Sequence, residues 1–398
     1  MLCRFEDRLA DRALVLEDFR ERIAVHTASE LDEALARIEA AQRRGLWVAL
    51  LLDYELGAWL EPAASAAPNS PVRSAAAATD VGASTGSDAA PLTALVFGAA
   101  RQTTPWQAPP NTAPFDLRAH ALMRRGEYLA AVDALRAAIA NGELYQANFT
   151  FPIALQTDMA PRDLYRQLAA HHRAAHAAYI EDGRRAVLSL SPELFFERRG
   201  DRITVRPMKG TAPRHTDAAQ DRLAGTALLG SNKNRAENLM IVDLLRNDLG
   251  RLATPGSVNV DALFSLEAYP SVWQLTSTIS ARAPDASLPA LLRALFPCGS
   301  ITGAPKIAAM RKIQALEIAP RGIYCGSIGW LAPDGDCSLN VAIRTIEMPN
   351  ERPGHGVLGV GGGIVYDSDP AQEWEECLWK ARVLGLGAAR PTPIAFVD

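Results

Sequence analysis

The chain has 398 residues, with 41 Lys and Arg against 45 Asp and Glu, a net charge of -4 and a pI near 6.0. Hydrophobic residues make up 48% and charged residues 22%, the balance of a folded globular protein, and the slight acidity offers no general attraction to nucleic acid or an anionic membrane. Five scattered cysteines (Cys3, Cys298, Cys325, Cys337 and Cys377) form no CxxC pair, so neither a disulfide framework nor a zinc ribbon is expected, and a reducing cytoplasm is the expected compartment. The opening MLCRFEDRLADRALVLEDF carries acids and does not read as a signal peptide. The longest apolar run, within GLWVALLLDY, is too short to span a bilayer.

In chain order, SELDEALARIEAAQRRG places Leu31, Leu35 and Ile38 at helical spacing, with Ser29 as the expected cap and Gly45 as the stop. LWVALLLDY follows as a buried strand. Residues 62–91 are rich in Ala, Ser, Pro and Gly and poor in large apolar groups, so they read as a disordered insert. LTALVFGAA resumes as strand before the Pro-rich link TPWQAPPNTAPF. These first 115 residues are expected to form a short N-terminal α/β subdomain.

From about residue 120 the pattern becomes helix, turn and strand through RRGEYLAAVDALRAAIANGELYQANFTFPI. AVLSLSPELFFERRGDRITVRPMKG reads as an antiparallel pair joined at Gly200 and Asp201. DRLAGTALLGSNKNRAENLMIVDLLRNDLGRLA is mostly helix. Short strands follow around SVWQLTSTISA, IYCGSIGWLA, LNVAIRTIEM and HGVLGVGGGIVYDS, then a helix from about Pro370 to Leu386 and a tail at 389–398. Strands and helices come in blocks, which predicts an α+β fold of antiparallel sheet flanked by helices, not a Rossmann fold. Residues 116–388 are expected to be the catalytic domain.

Several stretches carry chemistry. In DPAQEWEECLWKAR, Glu373, Glu376 and Lys380 fall at i, i+3 and i+7, on one helical face. Glu237 lies on the helix of NRAENLMIVDLLRND. Carboxylates converging from two helices suit Mg²⁺, a hard cation with oxygen ligands, while surface ion pairs are the plainer reading of either helix alone. The glycines of LGVGGGIVYDS precede strand and turn, not the helix a dinucleotide motif requires. They expose backbone N–H groups to an anion, as do the small residues of FPCGSITGAPK ahead of Lys306. His171, His172 and His176 include an i, i+4 pair that could ligate zinc, but with no HExxH glutamate and no evident third ligand they read as a surface helix. In VRPMKGTAPR, Lys209 is bracketed by Pro207 and Gly210, which read as a turn that aims its amine.

Taken together, GELYQANFT, LSLSPELFF, RPMKGTAPR, AENLMIVDLLRND, FPCGSITGAPK, YCGSIGW, NVAIRTI and GGGIVYDSDPAQEWEECLWKA resemble the chorismate-utilising enzymes over about residues 120–388. The family includes anthranilate synthase component I, aminodeoxychorismate synthase component I, and the isochorismate and salicylate synthases. The resemblance implies two packed antiparallel sheets with helices outside. By position it implies that Glu237, Glu373 and Glu376 hold Mg²⁺ for the ring carboxylate of chorismate, and that Gly210 and Thr211 supply backbone donors to that carboxylate. It implies that Tyr324, Arg344 and Gly363 grip the enolpyruvyl carboxylate, with Lys380, Ser300 and Gln146 in the same pocket. Glu193 matches the general acid that protonates the departing C4 hydroxyl.

Two positions discriminate within the family. Isochorismate and salicylate synthases carry a lysine at the position of Gln146, and anthranilate synthases usually an alanine at that of Lys209. Lys209 resembles the aminodeoxychorismate synthase branch, which implies a nucleophilic amine, amination of chorismate with ammonia in folate synthesis, and a glutamine amidotransferase as partner. Anthranilate synthase component I and a non-catalytic chorismate-binding scaffold are the alternatives. Met208, Cys298 and Gln274 depart from the usual family residues. Gln274 stands where many relatives have a histidine, which throws weight onto Glu193.

Overall fold

The computed structural model describes residues 1–64, 90–108, 116–269, 272–381 and 394–396. The expected insert lies, for residues 65–89, outside the described residues, as do 109–115 of the Pro-rich link and most of the tail. Within that tail, Ile394–Phe396 forms a short strand parallel to Leu117–Ala121.

The antiparallel sheet with flanking helices is present, and its strands form one continuous ladder. Inside the edge strand Ile394–Phe396, Leu117–Ala121 is followed by Gln146–Thr157, His355–Ile364, Thr345–Pro349, Arg185–Ser189 and Ala177–Glu181. The N-terminal strand Leu2–Asp7 continues it, then Arg12–Val25, Leu92–Thr103, Trp47–Leu52 and Ser327–Leu331. Cys337–Val341, Leu194–Arg199, Arg202–Arg206 and Val272–Arg282 complete it, with Met208–Pro213 and Asn259–Ala268 also on the last of these. The ladder therefore crosses the position near residue 115 where the sequence changes texture.

Trp47–Leu52 explains how the ladder becomes two packed layers. Val48, Leu50 and Leu52 face a helix-covered core with Leu35, Ile38, Leu245 and Leu292. Ala49 and Leu51 face the other way, into a smaller cluster with Phe5, Leu95, Phe97, Ile180 and Val187. Apolar side chains on both faces are the mark of a doubly covered strand, which is why its sequence runs apolar without alternation. A third cluster, including Tyr128, Phe149, Phe151 and Trp374, packs helices on the other wing. Such burial, at about 25 cal/mol per Å² of apolar surface, is the main favourable term in folding.

Local details refine the expectations. The first long helix, Leu31–Arg43, is preceded by a turn that Thr27 and Glu30 cap reciprocally, so Ser29 is not the cap. Gly45 stops the helix with φ of 83°, a conformation glycine adopts without a Cβ penalty. LNVAIRTIEM is two strands, Cys337–Val341 and Thr345–Pro349, broken at Arg344. The helix expected from about Pro370 to Leu386 is described over Pro370–Lys380. All five cysteines are free and buried, and no helix among the described residues is long and apolar enough to cross a membrane.

Candidate active site

A cavity of about 560 Å³ lies between the helices Asn232–Gly250 and Pro370–Lys380, the strands Met208–Pro213 and His355–Ile364, and the segments carrying Glu193, Ser300, Tyr324 and Arg344. Twelve expected site residues line it: Lys209, Glu193, Gly210, Thr211, Ser300, Tyr324, Arg344, Gly363, Lys380, Glu237, Glu373 and Glu376. The thirteenth, Gln146, is wholly buried behind Gly363. A Cβ placed on Gly363 would lie 2.7 Å from Gln146 Nε2 and 2.9 Å from Lys209 Nζ, so only glycine admits both side chains here.

Lys209 is not on a turn, as the bracketing residues suggested, but in a bulged strand: the register with Val272–Arg282 shifts between Met208 and Thr211. Gly210 has φ of 98°, and a Cβ on it would press within 3.2 Å of Asn234 and Leu275. Burial lowers the Lys209 pKa, helped by Lys380 and opposed by Glu237, Glu193 and Glu376. Lys306, expected near the anion, instead bonds Asp248 at 2.8 Å and the Leu295 carbonyl at 3.3 Å.

Burial pushes the Glu193 carboxyl up to about 7, with the Ser300 hydroxyl, Lys209 and the Met208 backbone only partly opposing it. Ser300 Oγ donates to Glu193 Oε1 at 2.8 Å, so this hydroxyl is engaged by the acid. A carboxyl titrating near neutrality suits a general acid. The Cys298 thiol, 3.3 Å from Ser300 Oγ, is pushed up to about 12 by burial and stays neutral.

The helix Pro370–Lys380 is fixed by its inner face. Trp374 stacks on Phe151 with centroids 5.1 Å apart, and Cys377 Sγ lies 3.3 Å from Tyr128 Oη. The adjoining face then turns Glu373, Glu376 and Lys380 to the cavity. Ser368 Oγ donates to Glu373 at 2.7 Å, while Lys380 bonds Glu376 at 2.8 Å and the Gly361 carbonyl at 2.9 Å. Burial raises the Glu373 pKa, and Glu376 adds to the rise. Lys380 lowers that of Glu376. Among the described residues no three His, Cys, Asp or Glu side chains form a metal-binding group, so the acids converge on one cavity and not on one point. Their donor chemistry fits a hard divalent cation, whose charge would relieve the Glu373–Glu376 repulsion.

Arg344 interrupts its strand with φ of 50°, a left-handed conformation uncommon outside glycine and associated with functional sites. Burial lowers its pKa. The Tyr324 ring lies flat against Gly359, where a Cβ would collide with it. The sequence reading missed Asn148, Lys233, Asn234 and Trp379 in the lining. Of these, Lys233 and Asn234 sit in the same NKNRAEN segment as Glu237, a proximity signal that helical spacing carries. Gln274, noted as a departure, accepts from Thr211 Oγ1 at 3.1 Å.

An antiparallel, helix-flanked scaffold enclosing a cavity with four acids and three lysines defines a binding site for a small polyanion, and residues 8–385 match the family model described as chorismate binding enzyme. The chain belongs to that family. It is 45% identical over 274 residues to aminodeoxychorismate synthase component 1 of Klebsiella aerogenes, a match covering 68% of this chain and 60% of that protein. It is 38% identical over 265 residues to anthranilate synthase component 1 of Streptomyces coelicolor, covering 66% of this chain and 51% of that protein. The matched region thus spans well under two thirds of these relatives' length. The fold is shared with anthranilate synthase component I of Streptococcus pneumoniae, at a TM-score of 0.76 and 22% identity over 94% of this chain and 92% of that one.

Proposed function

We propose that this chain is the chorismate-aminating component of an aminodeoxychorismate synthase, forming 4-amino-4-deoxychorismate from chorismate and ammonia. The observation that carries the reading is an amine, Lys209, with its proton affinity lowered by burial, sharing one cavity with a carboxyl, Glu193, that titrates near neutrality. Neutral Lys209 Nζ attacks C2 of chorismate. Both conjugated ring double bonds shift, and the C4 hydroxyl leaves as water with the proton of Glu193. Ammonia then attacks C4, the two double bonds shift back, and the C2–N bond to Lys209 breaks with its electron pair returning to the lysine nitrogen. The proton that Lys209 gives up on attack returns to it on departure, and the proton that the ammonia nitrogen loses restores Glu193. Splitting one displacement into two is the advantage of covalent catalysis.

Arg344, Tyr324 and the Gly363 backbone hold the enolpyruvyl carboxylate, and the Gly210 and Thr211 amides hold the ring carboxylate. Glu237, Glu373 and Glu376 are the residues that would hold Mg²⁺, which when bound neutralises the ring carboxylate. Lys380, paired with Glu376 in the structure, would add its charge to the grip on the substrate. Gln146 has no basic group at neutral pH, which weighs against water-adding activity. The ammonia comes from a glutamine amidotransferase partner or from solution, and the product serves 4-aminobenzoate and folate synthesis in the cytoplasm.

The test is mass spectrometry of products from chorismate, ammonium and Mg²⁺ with the wild type and Lys209→Ala. Aminodeoxychorismate from the wild type and a fall of at least about 10²-fold in the variant are expected for loss of a nucleophile. Anthranilate and pyruvate as products, or undiminished amination by the variant, would overturn the reading.

A further inference from the structure

The pairs Met208↔Thr276 and Thr211↔Gln274 set three steps of one strand against two of the other. The surplus falls at Lys209–Gly210. Such a bulge re-aims a side chain and takes backbone groups out of the ladder, yet buried carbonyls still need donors. The Pro207 carbonyl accepts from the Ser277 amide at 3.2 Å. The carbonyl of Lys209 itself accepts from Nδ2 of Asn238 at 3.2 Å.

Asn238 is wholly buried and follows Glu237 on the helix Asn232–Gly250. Its Nδ2 also lies 3.5 Å from the Leu275 carbonyl, and its Oδ1 accepts from the Ser277 hydroxyl at 2.6 Å. That hydroxyl also accepts from the Phe264 amide at 3.2 Å. The carbonyls of Lys209 and Leu275 can only accept, so the nitrogen end of the Asn238 amide faces them and its oxygen end faces the Ser277 O–H. A carboxylate at this position would have no donor to offer them.

We propose that Asn238, oriented by Ser277, is a positioning residue that holds the Lys209 bulge against the helix carrying Glu237, and so sets where the lysine amine meets the substrate. Asn238 does not line the cavity, so it acts through Lys209, and the inference rests on Lys209 being the nucleophile. Of the substrate grips only the Gly210 and Thr211 amides share the bulge, while Tyr324, Arg344, Gly363 and Lys380 lie elsewhere on the wall. Loosening the bulge therefore lowers turnover far more than chorismate affinity, because effective molarity depends steeply on the alignment of reacting atoms.

The experiment measures kcat by aminodeoxychorismate formation and chorismate Kd by calorimetry for Asn238→Ala, Ser277→Ala and Ser277→Thr. Asn238→Ala is expected to lose roughly 10- to 100-fold in kcat with Kd changed less than threefold. Ser277→Ala loses at least about fivefold in kcat, and Ser277→Thr, which restores the hydroxyl, returns to within twofold of wild type. If Asn238→Ala does not fold, the two Ser277 variants decide the matter alone. Wild-type kcat in Asn238→Ala, a loss in Kd as large as that in kcat, or equal kcat in Ser277→Ala and Ser277→Thr would overturn the proposal. A wild type that makes no aminodeoxychorismate, or a fully active Lys209→Ala, would instead remove the reading of function beneath it.

Discussion

Two buried polar regions lie on either side of Tyr324, and they are built by opposite rules. Around Arg321 each nitrogen of the guanidinium is met: it bonds Glu317 at 2.8 Å, the Ile301 carbonyl at 2.9 Å and the Asn148 carbonyl at 2.6 Å. It also lies over the Tyr54 ring at 4.2 Å, while Glu55 accepts from the Arg321 and Gly322 amides. On the cavity side, both polar ends of the Gln146 amide, behind Gly363, are buried with no hydrogen-bond partner, and Glu193 is held mainly by one serine. A buried ion pair with complete hydrogen bonding fixes geometry. Polar groups left incompletely met keep their bonding capacity for a ligand. The contrast separates a brace from a reaction vessel within one sheet.

The largest way to sharpen that comparison is Glu193→Gln. It should lower amination roughly 10²- to 10⁴-fold, as expected for loss of a general acid, while thermal unfolding shows no loss of stability. Arg321→Ala should do the reverse. Leaving Glu317 unpaired in the interior is expected to cost about 3–5 kcal/mol of stability, read by denaturant unfolding, and a smaller loss would show that the brace is not structural.

A pH series comes next. The folded Glu193 carboxyl titrates near 7, above its ordinary 4.5. Its neutral form is therefore favoured by the fold: that stability is fully present below pH 4.5 and is lost as pH rises through 7. Wild type should lose about 3 kcal/mol relative to Glu193→Gln between about pH 4 and pH 8, measured as the difference in their unfolding free energies. The smallest effect is expected from Gln146→Leu, which removes two unpartnered polar atoms. Stability should rise by about 1–3 kcal/mol, whereas the same kind of replacement at Arg321 lowers it.

Much of the site was legible because its residues sit in dense local patterns. Glu373, Glu376 and Lys380 declare a helix face by spacing, and the apolar run at 46–54 declares a strand covered on both sides. What was hidden depends on partners distant in sequence. Nothing in SPELFF or CGSIT separately says that Ser300 will hold Glu193, and nothing in NVAIRT says that Arg344 will break a strand by taking positive φ. The bulge at Lys209 was taken for a turn because Pro and Gly serve both purposes. The shift of register becomes visible only once Val272–Arg282 is alongside. Arg321 gave no signal, since a lone arginine after a proline looks like surface until Glu317, Asn148 and Ile301 surround it.

The doubly covered strand Trp47–Leu52 has a consequence for biosynthesis. One of its two neighbours, Leu92–Thr103, leaves the ribosome soon after it, but the other, Ser327–Leu331, follows much later in the chain. Until then a wholly apolar, β-prone segment waits with one backbone edge open, the kind of surface that nascent chains aggregate through and chaperones shield. The demand for late closure falls on the ordering of synthesis, and it ties the fate of Trp47–Leu52 to the arrival of Ser327–Leu331.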